Sequence, residues 1–186
     1  MKTTIAVAKE LVTANELFEH PEWNPCELVN GKVVAMSPAG GRHGDVAGII
    51  AGLLFAYARG KNAGRVLIAE AGFLLRRNPD TVRAPDVMFV SNERLPDGVP
   101  EGFLPIPPDL AVEIVSPTDK FSDITAKAEE YAAAGVRMVW VVDPQTRRAY
   151  VFRPGQAVRS LVETQSLPGE EVLPGFELPL KELFRK

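Results

Sequence analysis

The chain predicts an α/β fold in which helices sandwich a mixed β-sheet, and three observations carry that expectation. From His43 to about Arg59, apolar residues recur three and four positions apart, as on one face of a helix. Short apolar runs bounded by turn residues follow, the pattern of antiparallel neighbours. Then Leu110 to Val115, a helical stretch ending at Ala134, and Met138 to Val142 read as strand, helix, strand, the order that joins two parallel strands.

Taken in order, Thr13-Ala-Asn-Glu16 has capping-box spacing and opens a short helix that the prolines at 21 and 25 stop. CELVNGKVVAM is a hairpin, because Asn30-Gly31 suits a type I′ turn with positive φ at both central residues. Ser37 to Gly41 is a loop. In the long helix Val46, Ile49, Ile50, Leu53, Leu54 and Tyr57 make the apolar face. Ala47, Gly48, Ala51 and Gly52 make a second, small-residue face, expected to pack closely against a sheet or a partner. Gly60 and Asn62-Ala-Gly64 end the helix, and strands follow over Arg65 to Ala69, Gly72 to Arg76 and Arg83 to Val90, the first two readable as one bent strand. Residues 91–108 hold five of the 16 prolines and form a long loop. Ser122 or Asp123 caps the helix that Gly135 stops. Ala149 to Phe152 and Val158 to Glu163 are antiparallel strands joined through Pro154-Gly155, and the tail, rich in Pro, Gly and Leu, is expected to wrap the surface.

With 186 residues, 46% hydrophobic and 24% charged, the chain is sized for one well-filled core, so residues 1–186 are expected to form a single domain. The longest apolar run, IIAGLLFAYA, is about half of the roughly 18–20 residues needed to cross a bilayer, so no membrane association is expected. Lys9 and Glu10 interrupt the apolar start MKTTIAVAKE before it could serve as an export signal. Cys26 stands alone, which excludes an internal disulfide and a cysteine metal cluster, and the expected location is the cytoplasm. A net charge of −3 does not favour phosphate backbones. The arginines are unevenly spread, with Arg137, Arg147, Arg148, Arg153 and Arg159 facing Asp143 alone, although a solvated surface accounts for such a run.

The chemistry-bearing residues are Asp86 and Glu113, each set in an apolar run that reads as a buried strand, RAPDVMFV and DLAVEIV. A carboxylate there costs several kcal/mol unless it is paired or bound to a metal. Strand alternation puts Asp109, Ala111, Glu113 and Val115 on one face and Leu110, Val112 and Ile114 on the other. If the two strands are neighbours, both carboxylates converge on one hard divalent cation, with the Ile114 carbonyl as a third oxygen. Lys127, on the following helix with Asp123 and Tyr131 on its face, is the candidate ammonium beside that cation, and Lys120 is a second. The plainer reading is that Asp86 ends a strand after Pro85 and that Glu113 is paired by Arg83 or Lys127. Triad chemistry is unsupported with two histidines in no recognisable partner motif, and GGRHGD lacks the Gly-Lys-Ser/Thr ending of a phosphate loop. Glu27 and Glu70 are candidates for additional acids near the site but read first as strand-edge charges, and His43 reads as a helix-start residue that borders the site at most.

The order Pro85-Asp86, then Glu113-Ile-Val on the next strand, then helix and strand resembles the PD-(D/E)XK restriction-endonuclease-like superfamily. More narrowly, ELVNG, RAPDVMFV, DLAVEIVSPTD, KAEEYAAAGV and MVWVVDP resemble a bacterial family of uncharacterised restriction endonucleases of about this size. The resemblance implies a restriction-endonuclease-like α/β/α core over about residues 43–143 with a mixed central sheet, plus the N-terminal hairpin and the C-terminal antiparallel strands. It further implies a metal-dependent endonuclease acting on DNA, with Mg²⁺ or Mn²⁺ held by Asp86 and Glu113, to which strand geometry adds the Ile114 carbonyl, and with Lys127 in the catalytic role. The small-residue face of the long helix and the basic C-terminal strands are expected to make a homodimer or higher oligomer. One position departs: where the superfamily usually has lysine, this chain has Val115, which is why the role passes to Lys127. The alternative is a catalytically inactive protein of the same fold that binds nucleic acid or protein.

Overall fold

The structure, a computed structural model, describes residues 11–185, so the apolar start examined for export lies outside the described residues. In chain order the elements are α1 (Ala14–Glu19), β1 (Cys26–Val29), β2 (Lys32–Ala35), α2 (Gly41–Lys61), β3 (Gly64–Ile68), β4 (Phe73–Arg76), β5 (Thr81–Arg83) and β6 (Val87–Ser91). Then come β7 (Leu110–Ile114), α3 (Phe121–Ala133), β8 (Met138–Asp143), β9 (Arg148–Phe152), β10 (Arg159–Val162), β11 (Ser166–Pro168), β12 (Glu177–Pro179) and α4 (Leu180–Leu183).

Six strands form the main sheet in the order β10-β9-β8-β7-β6-β3, mixed because β7 and β8 alone run parallel, joined over the sheet by α3. A smaller antiparallel sheet has the order β2-β1-β5-β4. Strand alternation divides the interior. Leu110, Val112 and Ile114 face one side, where they meet Val46, Ile50, Leu54 and Ala58 of α2 and apolar residues of the C-terminal tail. Ala111 and Val115 face the other, with Ile124, Ala128 and Tyr131 of α3 and Phe73 of the small sheet. A third cluster packs Leu17 of α1 on Leu28, Val33 and Val82 of that sheet. The expected mixed-sheet α/β sandwich is therefore what the chain forms.

Local chemistry explains the elements. Thr13 and Glu16 make a reciprocal capping box at α1. Asn30 and Gly31 hold φ of 53° and 74°, the geometry that closes the β1–β2 hairpin. Asn62 ends α2 in the left-handed conformation.

Five expectations need correcting. Residues 83–90 are two strands in two sheets, because Pro85 supplies no ladder hydrogen and the chain bends over Ala84 to Asp86. Asp86 thus stands at a strand entrance. β3 and β4 are likewise separate, each in its own sheet, turning through Glu70 at φ 74°. The α3 N-cap is Lys120 with no side-chain cap, ahead of the expected Ser122 and Asp123. The small-residue face of α2 is split: Ala47 and Ala51 pack against the core, whereas Gly48 and Gly52 are exposed and a Cβ on either would meet nothing within 4 Å among the described residues. Finally, the tail completes the core: Leu167, Leu173, Leu178, Leu180, Leu183 and Phe184 are all buried with α2. No helix among the described residues is long and apolar enough to cross a membrane.

Candidate active site

Antiparallel pairing sets β6 beside β7, with Val87 opposite Val112, so Asp86, one residue before β6, reaches the end of β7. Its Oδ2 accepts the backbone N–H of Ile114 at 2.7 Å and shares a hydrogen bond with His43 Nε2 at 3.0 Å. Ile114 therefore meets Asp86 through its amide, while its side chain lies in the opposite core. The Asp86 side chain is 20% exposed. Burial, and after it the charge of Glu113, push its carboxyl up to about 7.

Glu113 projects from the α3 side of β7, as alternation requires. Its Oε1 accepts the Tyr131 hydroxyl at 2.6 Å and lies 2.8 Å from Lys127 Nζ. Lys127 and Tyr131 stand four residues apart on α3, on one helical face. The same ammonium is 2.8 Å from Glu27 Oε1, on β1. Burial would deprotonate Lys127, but Glu113 and Glu27 outweigh it and raise its pKa. The pairing consequently favours the cationic form of Lys127, which is the form unsuited to a general base.

Beyond the lysine the network continues. Arg83 Nη1 donates to Glu27 Oε2 at 2.8 Å, and Arg83 Nη2 donates to Glu130 Oε2 at 2.5 Å. Burial would raise the Glu27 carboxyl, yet Lys127 and Arg83 hold it at about 2. One oxygen of each central acid stays free: among the described residues no partner falls on Asp86 Oδ1 or Glu113 Oε2, and neither atom is sealed from solvent.

The structure thus brings together Asp86, Glu113, Ile114 and Lys127. Lys120 is exposed at the α3 N-cap, outside this network, and Glu70 is an exposed turn residue. Sequence reasoning undervalued two residues. Glu27 is 3% exposed and shares Lys127 with Glu113; its signal was a strand, CELV, that is buried on both faces. His43 touches Asp86 across a sequence separation of 43, and its Nδ1 is buried without a partner among the described residues. Burial lowers its pKa against the opposing pull of Asp119 and Glu113, which favours the neutral ring.

The two free carboxylate oxygens fit a hard divalent cation in their chemistry. Among the described residues there is no group of three or more His, Cys, Asp or Glu side chains that could hold a metal ion, so such an ion would draw further donors from backbone and water.

Residues 14–181 match the model of the Uma2 family, described as "Putative restriction endonuclease". A crystal structure described as a putative nuclease from Anabaena variabilis ATCC 29413 superposes with a TM-score of 0.81 at 22% identity, covering 93% of this chain and 97% of that one, a likeness of fold. No curated protein matches the chain.

Proposed function

The chain belongs to the Uma2 family, whose model spans residues 14–181, and on that premise we propose that it is a metal-dependent nuclease hydrolysing DNA phosphodiester bonds. One observation supports this above the others: two carboxylates, each with a free oxygen, adjoin a buried lysine held cationic by two acids. A purely structural ion pair would be expected to use both acids fully. Here, among the described residues, no lysine or arginine lies within salt-bridge distance of Asp86, which touches only His43, and burial with a like charge penalises its ionised form.

In this reading Asp86, Glu113 and the Ile114 carbonyl hold Mg²⁺ or Mn²⁺. When bound, such an ion neutralises charge that builds on a phosphoryl oxygen and acidifies water. His43 and the Ile114 amide orient Asp86. Lys127 offers a fixed positive charge and donor hydrogens to the attacking water or the phosphate, and Glu27 with Tyr131 holds it and Glu113 in register. The enzyme would act on nucleic acid away from any membrane, in the cytoplasm, as a homodimer or higher oligomer if both strands are cut.

The test is cleavage of plasmid DNA with Mn²⁺, with Mg²⁺ and with chelator. Cleavage should require the metal and fall at least ~100-fold in Asp86→Asn and Lys127→Met. Equal cutting by wild type and Asp86→Asn would remove the assignment. A second reading is favoured by Lys127 already being paired with both Glu27 and Glu113, and by Val115 at the usual lysine position: a catalytically inactive binding module of the same fold. That module would give no calorimetric Mn²⁺ heat that Glu113→Gln abolishes.

A further inference from the structure

Register across the main sheet links the acid site to a second feature. Glu113 on β7 pairs with Val141 on β8, and Val141 with Tyr150 on β9. Tyr150 therefore rises from the same face two strands away, roughly 10 Å from Glu113 at ordinary strand spacing. Beside it sits Phe121, the first residue of α3, with ring centroids 4.7 Å apart and planes tilted by 54°. Phe121 is 39% exposed. Two residues before it in the β7–α3 loop is Asp119, whose charge acts on both His43 and Asp86, so this loop runs from the acid site to the aromatic pair.

The surrounding cations differ from the other arginines of that region. Arg137 is paired with Asp109, Arg147 with Glu163, Arg153 with Glu170 and Glu171, and Arg159 with Glu170. Lys120, adjoining Phe121, and Arg148, on the same strand face as Tyr150, are exposed and take part in no ion pair among the described residues. With a net charge of −3 and most arginines occupied, the chain has little with which to grip the many phosphates of a duplex. An exposed ring with two free cations is what an unpaired nucleotide needs: a π-face for the base and charge for the backbone.

We propose that Phe121, backed by Tyr150 and flanked by Lys120 and Arg148, is a stacking platform for an unpaired nucleobase beside the acid site, and that the preferred ligand is single-stranded nucleic acid. The position of the scissile phosphate rests on the nuclease reading; the binding claim does not. It is tested by fluorescence anisotropy of a labelled oligothymidylate and of a hairpin duplex with the full chain in EDTA, where no cleavage occurs. Wild type should bind the single strand more tightly than the duplex. Phe121→Ala should weaken single-strand binding about 10-fold, Phe121→Trp should keep it within about 2-fold, and duplex binding should not change. The salt dependence should be shallow, with a slope near −1.4 for roughly two phosphates at about −0.7 each. Equal single-strand affinity of Phe121→Ala and wild type, tighter duplex binding, or no binding overturns the platform. Cleavage assays with Mn²⁺ are scored separately: wild type that binds through Phe121 but never cuts refutes the nuclease and leaves the platform standing, whereas cutting by a Phe121→Ala protein of undiminished affinity does the reverse.

Discussion

Asp86 shows how a single buried carboxyl makes stability depend on pH. Its carboxyl sits at about 7 in the fold against an ordinary 3.8, so the folded chain keeps this proton to higher pH than the unfolded chain does. The contribution is fully present below about pH 4 and is lost as pH rises to about 7. Asp86→Asn, which keeps an acceptor for the Ile114 amide, escapes that loss. In metal-free urea titrations it should therefore exceed wild type by on the order of 1–3 kcal/mol at pH 8, with the advantage gone at pH 4. A variant less stable than wild type at pH 8 would mean that Asp86 is held by an unseen cationic partner. Asp86 and Glu113 were legible in the sequence because a charge inside an apolar run must be compensated. Their neighbours were not: His43 and Glu27 reach the site through contacts spanning 43 and 100 residues of chain, which no local pattern records.

At the scale of elements, periodicity located α2 and α3 because each buries one regular face, and unbroken apolar runs located β7 and β8 because both of their faces are buried. Periodicity could not say what covers a second face. The small residues of α2 suggested close packing, yet Gly48 and Gly52 lie exposed, with no positive φ and open space where a Cβ would be. Mid-helix glycine costs roughly 0.5–1 kcal/mol relative to alanine. Gly48→Ala with Gly52→Ala should accordingly raise the thermal midpoint by several degrees, gaining about 1–2 kcal/mol for the pair. Should the doubly substituted chain melt lower and sediment as a smaller species than wild type, the glycines are seating a second copy. The bend at residues 84–86 was hidden for a related reason: RAPDVMFV is as apolar as a continuous strand, and Pro85 alone marks where pairing passes from one sheet to the other.

Across the whole molecule, the site is also the joint between the two sheets. β1 contributes Glu27, β5 contributes Arg83, α3 contributes Lys127 and Glu130, and β7 contributes Glu113, so one chain of buried ion pairs fastens the small sheet to the large one. Its acid dependence runs opposite to that of Asp86. Glu27 is held at about 2 against an ordinary 4.5, so its stabilisation is present above pH 4.5 and lost as pH falls towards 2. The shift corresponds to roughly 3 kcal/mol. Glu27→Gln removes this in advance and leaves Arg83 and Lys127 each short of a carboxylate in a buried setting, a change that typically costs about 3–5 kcal/mol. The substituted chain should be less stable than wild type at pH 7 by about that amount, and the difference should narrow as both are titrated from pH 5 to pH 2. Hydrogen exchange should show the loss first in the amides of β1 and β2, because the large sheet keeps its own two apolar cores. Uniform loss of protection across both sheets would instead make the small sheet an inseparable part of the nuclease-like core, and Glu27 only one fastening among many.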